Sequence, residues 1–284
     1  MPYRAPFHGE SIFNFLGDRA VPGVETWDGV TYRRSLRLNH GNAVVALSPG
    51  PSAPGPNAIT CTLHLDNVAD VQAAVQRCRR LLDLDADPDT VEAHFADDQV
   101  LAPLVRKRPG LRSPGHPDGV EMLTRAVLGQ QVSVKGARTL AARLVAAVGQ
   151  PLAAAVDGVT HAFPAAEAIA GCSTTDMAMP GARARAIIQA CEQLACGGIV
   201  IDAGSDRDEI SRQLESLPGI GPWTAGYVAL RALGDPDVFL PTDIGVRNAL
   251  RSMGIDATPK SAARLAESWR PWRSYALHHL WASL

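Results

Sequence analysis

Two short segments carry the residues best placed to do chemistry: the run Leu217-Pro218-Gly219-Ile220-Gly221, and Asp243 beyond it. Gly219 and Gly221 can take positive φ and let another backbone come close. The amides after them stand at the start of an apolar helix, where free N–H groups meet the positive end of the helix dipole. Such a place holds a phosphate of a nucleic-acid backbone without reading its sequence. The plain alternative is a tight turn between two helices. The helix over 223–233 leads through the apolar Val238, Phe239 and Leu240 to Pro241-Thr242-Asp243, at the head of another helix. Asp243 there reads either as an ordinary N-cap or as a carboxylate offered to a ligand. Trp223 and Tyr227 are four apart and so share one helix face. They offer two aromatic surfaces beside the turn, or else belong to the core.

The elements that must position these residues fall into two unlike halves. The first half predicts an α/β layer. A short amphipathic helix covers 11–19, with Ile12, Phe15 and Leu16 on one side. Strands are predicted over 30–38, 43–48 and 59–65, the last with clean alternation of Ile59, Cys61, Leu63 and Leu65 against Thr60, Thr62 and His64. In 30–38 the alternation is imperfect, because Arg34 shares a face with Tyr32, Leu36 and Leu38. The Pro/Gly-rich 50–57 predicts a loop, and a helix from about Val68 to Leu82 is expected to pack on an antiparallel sheet. The acidic stretch 83–98 reads as a solvated helix-loop face; it lacks the Gly and closing Glu of a calcium loop. Residues 106–110 read as a boundary loop.

From Gly119 onward the pattern predicts almost nothing but helix, joined by short Gly/Pro connections. Thr258 is a candidate N-cap ahead of Pro259, and Pro271 opens the last helix. The expected fold class is α+β: an N-terminal antiparallel-sheet α/β domain over 1–90, a connecting segment over 91–118 packed with the C-terminal helices, a helical domain over 119–234, and a C-terminal helical subdomain over 235–284.

Composition narrows the classes. The 284 residues are 46% hydrophobic and 20% charged, which suits a globular protein with a real core. No apolar stretch approaches the roughly 20 residues of a membrane span. The N-terminal run has no apolar core of a signal peptide, so the expected setting is cytoplasmic. The five cysteines are scattered without a C-x-x-C pair, which argues against a zinc ribbon or disulfide scaffold and for reduced thiols, buried at Cys191 and Cys196. The net charge of −2 removes the argument from a globally basic chain, though not from a local basic face.

The hairpin, its spacing and Asp243 together resemble the helix-hairpin-helix, Gly/Pro-rich, catalytic-Asp superfamily of base-excision DNA glycosylases. Within it the chain is most similar to the alkylbase branch, of the 3-methyladenine DNA glycosylase II type. Further matching segments are Arg19-Ala20-Val21, Val24-Glu25-Thr26, Thr62-Leu63-His64, Leu82-Asp83-Leu84, Arg108-Pro109-Gly110-Leu111-Arg112, Arg125-Ala126-Val127-Leu128-Gly129-Gln130 and Pro271-Trp272-Arg273-Ser274-Tyr275-Ala276-Leu277. They run in order along nearly the whole chain.

The resemblance implies an active cleft between two helical subdomains, with Asp243 as the catalytic carboxylate. It implies a base pocket of Trp223, Tyr227, Trp281 and Phe15. DNA contacts would come from Gly219, Ile220, Gly221, Thr224, Ser274 and Gln131. Gln131 stands where the family's wedge residue, a leucine in its best-known pattern, fills the gap left by a flipped base. The carbonyls of Glu215, Leu217 and Ile220 would hold a structural monovalent cation. Trp223 occupies the position of the lysine of strand-cleaving members, which implies a monofunctional enzyme. No cysteine follows Cys196, so the iron–sulfur cluster of other relatives should be absent, and no cofactor is required. The partner would be double-stranded DNA with alkylated bases, met by a monomer without a membrane. Weaker alternatives are a non-catalytic DNA-binding protein of this fold and a same-fold glycosylase for deaminated or etheno bases. The last residue, Leu284, lies just past Trp281, which implies a more open pocket.

Charge adds a quantitative expectation. The acidic 83–98 stretch offsets Arg106, Lys107, Arg108, Arg247, Arg251 and Arg273, so phosphate contacts should be few. Binding to undamaged duplex is expected to weaken only gently with salt; a slope implying about ten phosphate contacts would contradict this.

Overall fold

The computed structural model describes residues 1–49, 57–175, 177 and 179–284. The loop expected over 50–57 lies, except for Asn57, outside the described residues. Helix α1 (Gly9–Asp18) is followed by strands β1 (Glu25–Trp27), β2 (Tyr32–Leu38), β3 (Gly41–Pro49) and β4 (Ile59–Leu65), an antiparallel sheet in chain order. Its register runs from Tyr32 opposite Leu47 to Leu38 opposite Gly41, and from Ala43 opposite Leu65 to Pro49 opposite Ile59. Helix α2 (Val71–Leu81) covers the sheet with Ala74, Cys78 and Leu81. Next come α3 (Pro88–Phe95), α4 (Leu101–Lys107), α5 (Gly119–Leu128) and α6 (Val134–Val148). A hairpin of β5 (Gln150–Val156) and β6 (Val159–Ala162) precedes α7 (Ala166–Ala170), α8 (Gly181–Ala195), α9 (Arg207–Glu215) and α10 (Pro222–Arg231). Last are α11 (Ile244–Ser252), α12 (Pro259–Leu265) and α13 (Arg273–Trp281). No helix among the described residues is long and apolar enough to cross a membrane.

Three sequence expectations need correction. The β5–β6 hairpin interrupts the stretch expected to be helical. Gly149 ends α6, Pro151 cannot continue it, and Asp157-Gly158 turns the chain with both φ values positive, 46° and 86°. Its inner strand β6 docks through Gly23, whose carbonyl accepts the N–H groups of Thr160 (2.8 Å) and His161 (2.9 Å). The acidic stretch is not uniformly solvated. Asp83 accepts from the Ser113 N–H (3.1 Å) and the Tyr275 hydroxyl (2.9 Å), and burial pushes its pKa up to about 6. Asp98 accepts from Trp269 Nε1 (2.9 Å) and from the Val100 and Leu101 amides that open α4. Cys191 is buried, but Cys196, just past α8, is exposed.

The imperfect alternation in β2 has a structural cause. Arg34 does point to the core side, where it is only 1% exposed. Its guanidinium pairs with Glu121 of α5 (2.6 Å) and Glu25 of β1 (3.3 Å). Arg125, one turn along α5, pairs with the same two acids at 2.8 and 2.9 Å. The Tyr32 hydroxyl and the Val21 N–H complete the shell of Glu25. Burial opposes ionisation of Glu121, yet the Arg34 guanidinium and its neighbours hold its carboxyl well below the usual carboxylate range. Two anions and two cations thus lock the N-terminal sheet to the first helix of the helical half. Replacing Arg34 by Met leaves two buried acids with one cation. That is expected to cost about 3–5 kcal/mol in chemical denaturation, and a loss below about 1 kcal/mol would show the network to be dispensable.

Candidate active site

The turn between α9 and α10 is built as a bare backbone edge. Gly219 takes φ +82°, and a Cβ there would stand 2.9 Å from Ala186 Cβ. Gly221 corrects the expectation of a second positive φ: it is extended (φ −106°, ψ 179°), and a Cβ would meet nothing within 4 Å. Its glycine therefore leaves room outside the protein. Ile220 is buried and anchors the turn. The N–H groups of Gly219, Gly221 and Trp223 meet no acceptor among the described residues. Pro222 has no N–H to offer, and the Thr224 and Ala225 amides return to the Gly221 carbonyl.

One residue that the functional reading of the sequence passed over fixes this turn. Gln130, just past the end of α5, donates through Nε2 to the Gly219 carbonyl and to Thr224 Oγ1, both at 2.9 Å. Arg183 donates in turn to the Gln130 carbonyl (2.7 Å). Thr224 is therefore a positioning residue, 2% exposed and occupied by Gln130, and its hydroxyl does not face outward. Ser274 is likewise corrected. It is fully buried, donating to the Asp235 carbonyl (2.6 Å) and accepting the Val238 N–H (2.9 Å). It pins the segment that leads to Asp243. Arg273 is not free for a basic rim either, because its Nε donates to Asp237 at 2.6 Å. Gln131 is exposed at the tip between α5 and α6, with φ +56°. A left-handed non-glycine residue stores strain of order 1–3 kcal/mol.

Asp243 satisfies both of its sequence readings at once. It is the N-cap of α11, with Oδ1 accepting the Val246 N–H (3.0 Å). The same oxygen accepts from Trp281 Nε1 (2.9 Å), and Oδ2 accepts from Trp223 Nε1 (3.1 Å). The Trp281 indole passes so close to Gly245 that a Cβ there would lie 3.0 Å from its Cδ1. Trp223 stacks on Tyr227 (ring centroids 5.2 Å, 18°), and Trp281 meets Tyr227 edge-on (6.2 Å, 76°). These four residues and Gln131 line one cleft of about 1180 Å³. Its inner wall carries Arg19, Glu25, Arg34, Arg125 and Arg231. Phe15 is the exception among the expected pocket residues. It stands behind Trp281 (6.2 Å, 19°), outside the cleft lining, with the Arg19 and Arg231 guanidiniums 3.7 and 4.8 Å from its ring.

The carbonyls expected to hold a cation are also in the hairpin. That of Leu217 accepts the Ile220 N–H (3.1 Å), while those of Glu215 and Ile220 receive no hydrogen bond among the described residues. Among these residues no cluster of three or more His, Cys, Asp or Glu could hold a metal ion.

Compared with known proteins, residues 1–118 match the AlkA N-terminal domain, and residues 124–274 match the HhH-GPD superfamily base excision DNA repair protein. The chain is similar to a Mycobacterium tuberculosis (strain CDC 1551 / Oshkosh) protein named probable bifunctional transcriptional activator/DNA repair enzyme AlkA. The two are 45% identical over 284 residues, covering 100% of this chain and 56% of that protein. The chain thus spans little more than half the length of this relative. It is also 34% identical to DNA-3-methyladenine glycosylase 2 of Escherichia coli (strain K12), over 98% of this chain and 95% of that one. The solved 3-methyladenine DNA-glycosylase from Archaeoglobus fulgidus shares the fold, with a TM-score of 0.82 at 21% identity, covering 99% and 96% of the two chains.

The double engagement of Asp243 separates folding from chemistry. Asp243→Ala removes the cap and is expected to lose about 0.5–2 kcal/mol in chemical denaturation. Asp243→Asn keeps an oxygen for the Val246 amide and is expected to lose less; equal losses would show that capping is not what Asp243 adds to stability.

Proposed function

The chain belongs to the HhH-GPD superfamily of base excision DNA repair proteins, and from that premise we propose that it is a monofunctional DNA glycosylase for alkylated bases such as 3-methyladenine and 7-methylguanine. The observation that carries the reading is the Asp243 carboxylate, held at the cleft by two indole N–H groups and a helix N-terminus. Breaking an N-glycosidic bond sends the electron pair to the base and leaves positive charge on the sugar. A fixed carboxylate facing that charge stabilises it without reorganising as it forms. Asp243 also stands ready to orient the water that adds to C1′. Because an alkylated purine cation departs as a neutral base, one carboxylate suffices where glycoside hydrolysis uses two.

The target must leave the stack to reach Asp243. Trp223, Tyr227 and Trp281 give it flat faces, and a cationic base gains a further attraction to them of about 0.5–2 kcal/mol. Gln131, exposed at its strained tip, enters the gap left in the duplex, where its amide hydrogen-bonds the partner base. The free amides of Gly219, Gly221 and Trp223 take a phosphate, which fixes the duplex without selecting a sequence. A monovalent cation bound by the Glu215, Leu217 and Ile220 carbonyls would add positive charge beside that phosphate. The reaction needs only charge stabilisation and water, so the reading includes no redox or organic cofactor. The chain acts as a monomer on double-stranded DNA.

Strand cleavage would need an amine to attack C1′. Among the described residues no lysine lines the cleft, and an indole occupies the position beside the hairpin. Alkylated duplex DNA is therefore expected to lose 7-methylguanine to the protein, with strands intact until base is added. Asp243→Asn is expected to slow release by about 10²–10³-fold. Binding without release, release by Asp243→Asn at the wild-type rate, or substantial cleavage without added base would each contradict a part of this reading.

A further inference from the structure

Arg231 is the least explained charge in the cleft. It is 4% exposed, and among the described residues no carboxylate touches it. Its Nε donates to the Pro114 carbonyl (2.6 Å) and its Nη2 to the Gly115 carbonyl (3.1 Å), so the guanidinium cannot swing. Its Nη1 donates to the Tyr227 hydroxyl at 3.1 Å. The phenol oxygen accepts in that bond, which leaves its own proton to give away. Among the described residues nothing accepts it. Tyrosine hydroxyls inside proteins ordinarily find a partner; this one belongs to a half-buried residue that lines the cleft beside Asp243.

We propose that the Tyr227 hydroxyl is the proton donor to a neutral departing base, with Arg231 as the residue that positions it; the inference rests on the glycosylase reading above. A cationic base leaves as a neutral molecule and needs no proton. A neutral purine does: when the C1′–N9 bond breaks, its electron pair goes to the base, and the charge spreads to ring nitrogens and any exocyclic oxygen. Tyr227 passes its proton to one of these, and the phenolate that remains is paired with Arg231. Water adds to C1′, its proton is lost through Asp243 to solvent, and solvent restores the phenol.

The charges around the phenol suit this role. Burial raises its pKa, but Arg231 on its own helix, Arg19 just past α1 and Arg125 on α5 outweigh burial and bring it below the ordinary value of 10. Asp243 lines the same cleft with its oxygens engaged by Trp223, Trp281 and the Val246 amide. His278 of α13, packed against Phe15, is kept neutral by burial and by Arg231. An acid works in its protonated form, so release of a neutral base should fall as pH rises through the Tyr227 pKa.

The test is single-turnover release by the full chain of hypoxanthine from a deoxyinosine duplex and of 7-methylguanine from a methylated duplex. Tyr227→Phe keeps the ring and its stack on Trp223. It is expected to lose about 10²-fold more rate on hypoxanthine than on 7-methylguanine. The alkaline fall in wild-type hypoxanthine release should vanish in Tyr227→Phe and move to higher pH in Arg231→Gln. The Tyr227→Phe comparison stands even if Arg231→Gln does not fold. Equal losses on both bases, an unchanged alkaline limb in Tyr227→Phe, or no hypoxanthine release by the wild type would overturn the proposal. Failure of the wild type to release 7-methylguanine would instead overturn the glycosylase reading beneath it.

Discussion

Three N–H groups from three different helices converge on one carboxylate. Val246 belongs to α11, Trp223 to α10 and Trp281 to α13, so the position of Asp243 is set by how those helices pack. Each of the smaller features serves this convergence. Gly245 leaves room for the Trp281 indole, Ser274 pins the segment ahead of Asp243, and Gln130 ties the start of α10 to α5. The same two indoles that orient the carboxylate also offer their faces to the cleft. The charge and the stacking surface are therefore fixed together.

The opposite wall is built from charge instead of rings. Glu25, Arg34, Glu121 and Arg125 balance one another and join the sheet to α5. Arg231 and Arg19 stand beyond that balance, against Phe15. Several arginines that the composition counts as basic are thus internal: Arg34, Arg112 and Arg231 are all under 5% exposed. The outward basic rim is smaller than the sequence total suggests. Glu25, Asp70 and Glu121 are buried in equal number, so the net charge of −2 is unchanged by what lies inside.

The sequence made the frame of the site legible because its signals are local. The Pro/Gly turn, the four-residue spacing of Trp223 and Tyr227, and an Asp at a helix start all act within a few residues. The same holds for the strand over 59–65, whose alternation survives in β4. What stayed hidden depends on distant partners. Nothing near Gln130 signals that it reaches the Gly219 carbonyl, nor near Asp83 that Ser113 and Tyr275 enclose it. Thr224 and Ser274 show the reverse error: lying within a functional motif does not tell which way a side chain points. The Asp157-Gly158 turn is a local signal, set within a stretch whose neighbours on both sides are helical.

If Asp243 faces positive charge developing on the sugar, the protein must tell a charged sugar ring from a neutral one. Duplexes carrying an abasic analogue test it directly, one with a neutral tetrahydrofuran ring and one with a cationic pyrrolidine in its place. The protein is expected to prefer the cationic ring by about 10²-fold or more, as for a transition-state mimic, and to lose that preference in Asp243→Asn. Equal affinity for the two rings, or a preference that survives in Asp243→Asn, would contradict it.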